Sequence, residues 1–164
     1  MSECCTLPVV LRRERFGGIV FDPFDGTMLE LDHDGYAVAR AVLRQRGFFL
    51  DPGKRAFARE LRARLHCHRL REVREIAVEP WPSATRTPTL SAPTLVDFQI
   101  TDRCNMGCPH CYASAVTGGG HVPWHEIALV VEQMADCGVC QVAIGGGEPL
   151  LHPDIVDMLA LCHE

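Results

Sequence analysis

The chain has 164 residues, nearly half of them hydrophobic, and a formal net charge of −5, enough for one domain or two small ones. No apolar run reaches membrane-spanning length, and Met1-Ser2-Glu3-Cys4-Cys5 has neither the basic start nor the apolar core of a signal peptide. A membrane partner is therefore not expected, and the location expected is cytoplasmic, with the nine cysteines, an odd count, present as reduced thiols.

The first half reads as strands followed by helices. Val9 to Arg13 is a first strand, Phe16-Gly17-Gly18 a turn, Gly18 to Phe21 a second strand. Asp22-Pro23-Phe24-Asp25-Gly26 is a strong turn signal, and Thr27 to Asp32 alternates as a third strand. Short connections make an antiparallel meander the economical topology. Asp34 is expected to cap a helix with Tyr36, Ala39, Val42 and Leu43 on one face, ended by Gly47. After the apolar connector Phe48-Phe49-Leu50, Asp51-Pro52 opens a second helix with Phe57, Leu61 and Leu65 at i, i+4 and i+8. Residues 54–74 carry eight basic and two acidic side chains and read as one basic helical region. Its stripe of Arg55, Arg59 and Arg62 reads as a solvated face, not a nucleic-acid site, and His66-Cys67-His68 points in three directions on such a helix, against a metal site. Residues 79–94 hold four prolines without periodicity. The expected organisation is thus a domain over 1–78, a linker over 79–94 and a second domain over 95–164.

The second part reads as strand (Val96 to Thr101), loop, helix (opened by Pro123, with Ile127, Val130, Val131 and Met134 inward, ended near Gly138), strand (Val139 to Ile144), then Gly145-Gly146-Gly147-Glu148-Pro149 and a final helix after His152-Pro153-Asp154. The loop carries Cys104, Cys108 and Cys111 in a C-x3-C-x2-C spacing, with Asn105, Gly107 and Pro109 suited to a chain that curls around a metal centre. Three thiolates on a four-iron cluster leave one iron without a protein ligand, an open position for chemistry. A rival zinc-ribbon reading pairs Cys108 and Cys111 with Cys137 and Cys140, but it would break the strand–helix–strand pattern and leave Cys104 unexplained; Cys137 and Cys140 read better as small apolar residues. Haem attachment fails because Tyr112, not His, follows Cys111.

The order strand, Cys104–Cys111 loop, helix, strand, Gly-Gly-Glu-Pro resembles the opening of the radical S-adenosylmethionine (SAM) superfamily from about Pro93 onward. The resemblance implies an α/β fold: the start of a partial (β/α)6 barrel, preceded here by a small α+β domain. It implies a 4Fe–4S cluster on Cys104, Cys108 and Cys111, with SAM on the open iron. Gly146, Gly147 and Glu148 match the segment that binds the SAM amino group, and His110 the position that packs near the adenine. An electron donor to reduce the cluster is implied as well. The first 78 residues are similar in architecture to the winged-helix-type domains of peptide-modifying maturases, which hold the leader of a ribosomally made precursor peptide against their third strand, here Thr27 to Asp32, with the Lys54–Arg74 region nearby and its arginines suited to an acidic leader. The expected function is a radical SAM enzyme modifying a ribosomally synthesised peptide. The alternatives are a radical SAM enzyme of small-molecule cofactor biosynthesis and a non-catalytic leader-binding module. Two parallel strands cannot close a barrel, so the chain is expected to be an N-terminal piece, inactive alone.

Overall fold

A computed structural model describes residues 7–44, 51–65, 73–77 and 90–163. The chain is a mixed α/β protein that divides into two compact units, Met1–Ala92 and Pro93–Glu164.

In the first unit, β1 (Val9–Glu14), β2 (Gly17–Asp22) and β3 (Thr27–Asp32) form the expected antiparallel meander. The β2–β3 turn is held by its own side chains: Asp22 Oδ1 accepts from Phe24 N at 3.0 Å and Asp25 Oδ1 from Thr27 N at 2.9 Å. Gly26 sits at φ 77°, where a side chain is disfavoured. Helix α1 (His33–Leu43) is capped by Asp32, not Asp34, through Gly35 N at 2.7 Å, because the strand runs directly into the helix. It ends at Leu43; Gly47 and the Phe48–Leu50 connector lie outside the described residues. Helix α2 (Pro52–Arg64) starts as read, with Asp51 Oδ1 accepting from Lys54 N at 2.9 Å and Pro52 in the first turn.

The basic helical region over 54–74 is corrected. Helix α2 stops at Arg64, and Val73–Ala77 is a strand, β4, pairing parallel with β1. The sheet order is β3-β2-β1-β4, leaving β3 at one edge. His66-Cys67-His68 lies outside the described residues. The Phe16–Gly18 turn is corrected too: the turn is Arg15-Phe16, and Gly17 joins Gly18 in β2. A Cβ at Gly18 would stand 2.1 Å from the Tyr36 ring, and one at Gly17 2.2 Å from the Leu31 carbonyl oxygen, so both glycines serve close packing of β2 against α1 and β3.

Val9, Leu11, Val20, Leu31, Ala39, Leu43, Leu61 and Leu65 form the core between sheet and helices. On the opposite sheet face Arg12 and Glu14 are buried as an ion pair at 2.7 Å. Arg12 donates to Ala92 O at 3.0 Å, and Glu14 accepts from Ser91 N and Ser91 Oγ, both at 2.8 Å. Residues 91 and 92 are thereby tied to β1.

In the second unit, β5 (Leu95–Thr101) and β6 (Gln141–Gly146) pair in parallel around α3 (Trp124–Cys137), and α4 (Ile155–His163) follows a short 3-10 turn, Pro149–Leu151. Gly138 ends α3 in the left-handed conformation at φ 79°. Ile100, Ile127, Val131 and Met158 make the core, with Phe98 and Ile144 against them. The alternate residues Leu95, Asp97, Gln99, Gln141 and Ala143 are exposed, so the other face of this sheet is open.

Candidate functional site

Parallel strands place their following loops at one end of the sheet, where ligands of such sheets are usually bound. Here the loop after β5 carries Cys104, Cys108 and Cys111, and the loop after β6 carries Gly146, Gly147 and Glu148. The two loops are bonded to each other: Gly147 N donates to Thr101 O at 2.8 Å and Glu148 N to Arg103 O at 2.9 Å. Both glycines are required by this contact. Gly146 has φ 122°, and a Cβ there would lie 2.1 Å from Thr101 O; a Cβ at Gly147 would lie 2.1 Å from Arg103 O. Their lack of side chains thus brings the loop against the base of the cysteine loop. Glu148 caps the 3-10 turn, its Oε1 accepting from Leu150 N at 3.0 Å.

Within the cysteine loop, Cys104 and Cys111 are half-buried and Cys108 exposed, and all three are free thiols. Cys104 Sγ accepts from Met106 N at 3.3 Å. Ser114, in a left-handed conformation at φ 50°, reverses the chain after Cys111. The backbone N–H of Ala115 above all, then that of Ala113, hold the Cys111 thiol below its ordinary value against the opposing effect of burial, since N–H groups near a sulfur favour its charged form. His110 is exposed on the turn before Cys111.

Among the described residues, no three His, Cys, Asp or Glu side chains converge on one point as a metal site would require. The three cysteines share a loop, but their thiols are not gathered. The donor set nonetheless fits an iron–sulfur group: three soft thiols in one exposed stretch, an N–H donor already on the Cys104 sulfur, and open space around Gly107, where an added Cβ would meet nothing within 4 Å. The rival zinc set is not assembled either. Cys137 is exposed at the end of α3, and Cys140 is half-buried with its thiol toward Gly138 O at 3.7 Å.

A polar clamp at the neck of the loop is invisible to motif reading. The buried Thr101 hydroxyl donates to Gly120 O at 2.7 Å and accepts from Arg103 N at 3.0 Å. His121 Nδ1, 2.9 Å away, must then carry the proton it gives to Thr101. Asp102 accepts from Gly120 N. His152, 2 % exposed, accepts from Asp154 N at 3.1 Å through Nδ1, which leaves Nε2–H to donate to Val122 O at 2.9 Å. The two imidazoles meet edge to face at 5.0 Å. The neck residues 101–103 and 120–122 are thus fastened to each other and to the start of α4. The only sequence signal for this was a Thr and a His at opposite ends of one long loop.

Residues 98–164 match the Radical SAM superfamily. Curated relatives match part of this chain. A GTP 3',8-cyclase of Vibrio parahaemolyticus is 37% identical over 67 residues, which is 38% of this chain and 20% of the relative. A PqqA peptide cyclase of Rhodopseudomonas palustris is 32% identical over 79 residues, 47% of this chain and 21% of the relative. The matched part therefore spans only about a fifth of these proteins. Among solved structures, Streptococcus suis SuiB bound to S-adenosylmethionine aligns over 99% of this chain and 39% of its own, at a TM-score of 0.55 and 20% identity. SuiB bound to precursor peptide SuiA aligns over 94% of this chain and 38% of its own, at 0.55 and 20%. The likeness of fold therefore extends through the N-terminal unit. No helix among the described residues is long and apolar enough to cross a membrane.

Proposed function

We propose that this chain provides the cofactor end of a radical SAM enzyme and a recognition unit for a ribosomally synthesised peptide. In this reading residues 95–164 begin a partial (β/α)6 barrel, residues 1–78 are a winged-helix-like peptide-recognition domain, and 79–94 join them. Cys104, Cys108 and Cys111 hold a 4Fe–4S cluster, Gly146, Gly147 and Glu148 receive the amino group of SAM, and His110 lies along its adenine. When bound and reduced by an electron donor, the cluster with SAM supplies a 5′-deoxyadenosyl radical that removes hydrogen from an unreactive carbon. The chain's own contribution is positional. Cys111 offers a sulfur already biased to the thiolate, and the Thr101–His121 clamp holds the ends of the ligand loop. The glycines keep the SAM-binding segment against that loop, and the open β5–β6 face offers Asp97 and Gln99 to what lies above it. On its own this two-stranded sheet does not enclose SAM, so the 164-residue chain is expected to be inactive alone.

The observation that carries this reading is the pair of bonds Gly147–Thr101 and Glu148–Arg103, which puts the two signature loops side by side at the ends of β5 and β6. The peptide part is supported by β3, which among the described residues pairs on one side only and so suits an added strand, and by the SuiB likeness over 94% of the chain. The GTP-cyclase relatives favour a small-molecule cofactor substrate instead, but their match covers only 38% of this chain. A recognition unit without catalysis would bind peptide with no cluster.

Anaerobic reconstitution tests the core of the proposal. About four irons per chain are expected, abolished by Cys104→Ala, Cys108→Ala or Cys111→Ala and kept by Cys137→Ala or Cys140→Ala. Loss of metal in Cys137→Ala equal to that in Cys111→Ala would restore the zinc-ribbon reading.

A further inference from the structure

We infer that the segment docking at the β3 edge is an extended peptide rich in Lys or Arg, an inference that rests on the peptide-recognition reading above. Beside β3 lies a groove of about 550 Å³ between the edge strand and the starts of both helices. Among the described residues its charged lining is Glu30, Asp32, Asp34 and Asp51 against the ammonium of Lys54. The basic residues expected to favour an acidic leader are elsewhere: Arg55, Arg59 and Arg62 are exposed but do not line the groove.

The two helix N-termini partly offset the carboxylates. Each contributes roughly half a positive charge, and each is capped by one of these aspartates, Asp32 on α1 and Asp51 on α2. Lys54 lies 3.8 Å from Asp34, an exposed and weak pair. Over its described lining, four carboxylates, one ammonium and roughly one unit from the two helix ends leave the groove about two negative charges. An acidic leader would meet repulsion there, whereas a strand bearing cations would not. Leu31, Val38 and Phe57 supply an apolar floor for the residues between them, and alternation along a strand presents both kinds of side chain in turn.

The test is a selection of random twelve-residue peptides displayed on phage against the immobilised 164-residue chain. The recovered pool is expected to be at least about threefold richer in Lys and Arg than the input. Glu30→Lys with Asp34→Lys should weaken individual hits about three- to tenfold, as for two exposed charge pairs, while the equal reversal Glu132→Lys with Asp136→Lys on α3, neither of which lines the groove, should leave them unchanged. Asp32 and Asp51 are spared because their loss would uncap helices. Resynthesised hits carrying backbone N-methyl groups at alternate residues should lose binding, since strand addition uses those N–H groups. A recovered pool that is acidic or at input charge, with N-methylation still abolishing binding, would overturn the charge inference and leave peptide recognition standing. No enrichment over bare support, or hits indifferent to N-methylation, would overturn recognition at β3 and the inference with it.

Discussion

The two units spend their polar groups in opposite ways. In the first, β2 is buried along its whole length, and the polar pair Arg12–Glu14 is sealed inside with every visible bond satisfied by neighbours. In the second, the sheet is packed on one face only, and its buried polar residues, Thr101 and His152, gather at the strand ends beneath the cysteine loop. Parallel sheets are ordinarily covered on both faces. An open face beside two strand-end loops is the arrangement of a site, whereas a sheet with its middle strand β2 buried throughout and β3 at its edge is the arrangement of a docking module.

This contrast breaks most sharply at Arg12. Arg12→Ala leaves the Glu14 carboxylate buried without its cation, and a loss of about 3–5 kcal/mol is expected. Arg12→Met with Glu14→Leu should recover much of it, because the penalty comes from the stranded charge more than from the missing pair. Urea unfolding of the whole chain measures both. A cost below about 1 kcal/mol for Arg12→Ala, as for a surface pair, would mean that the pair is hydrated and the first unit less closed than described.

In the second unit the sharpest point is a backbone contact. Gly147→Ala puts a methyl group 2.1 Å from Arg103 O, and the loops must part to admit it. A loss of about 1–3 kcal/mol is expected, together with poorer iron retention after reconstitution. Gly118→Ala, where nothing lies within 4 Å, should change stability by no more than about 0.5 kcal/mol. Equal behaviour of the two variants would remove the argument that the glycine segment is held against the cysteine loop. Thr101→Val asks the same of the clamp. It keeps the shape and deletes the hydroxyl that joins Gly120, Arg103 and His121, with an expected cost of about 1–3 kcal/mol. Iron retention should fall more than in a core variant of equal stability cost, such as Val131→Ala.

What could be read from the residues alone was what local chemistry decides. Asp22 to Gly26 announces its turn, Asp51-Pro52 its helix start, Pro123 and Gly138 the two ends of α3, because each signal acts within a few residues. The cysteine spacing is equally local. Strand β4 was hidden because Val73-Arg74-Glu75-Ile76-Ala77 follows a basic helix and only pairing with β1, some sixty residues away in sequence, makes it a strand. Gly17 read as a turn residue only, because the backbone of β3, which it accommodates, belongs to later residues. The same holds at the site. Cys104, Cys108 and Cys111 are visible as a set, whereas the joining of Gly147 to the base of their loop, and of Thr101 to His121, are contacts between distant segments that no spacing announces.

The smallest effect sharpens the closed character of the first unit. Tyr36 packs over Gly18 and donates to Glu75 Oε1 at 3.3 Å, and Glu75 also pairs with Arg40 at 2.7 Å. Burial first, then the Glu75 carboxylate, raises the phenol above its ordinary value of 10.0. The folded state therefore holds the phenolic proton more tightly than the unfolded chain. The resulting stability is fully present below about pH 10 and is lost as pH rises through the higher folded value. Tyr36→Phe deletes both the hydrogen bond and the titration. At pH 8 the parent should be more stable by about 0.5–1 kcal/mol, at the low end because the site is only half-buried. Above pH 10 the gap should close, since the parent alone must keep a proton that solvent is removing. Urea midpoints of the two chains at pH 8 and pH 10.5 decide it, because every other alkaline titration is common to both. A gap that stays constant would show that Tyr36 ionises as freely folded as unfolded, and that the α1–β4 side of the first unit is open to water.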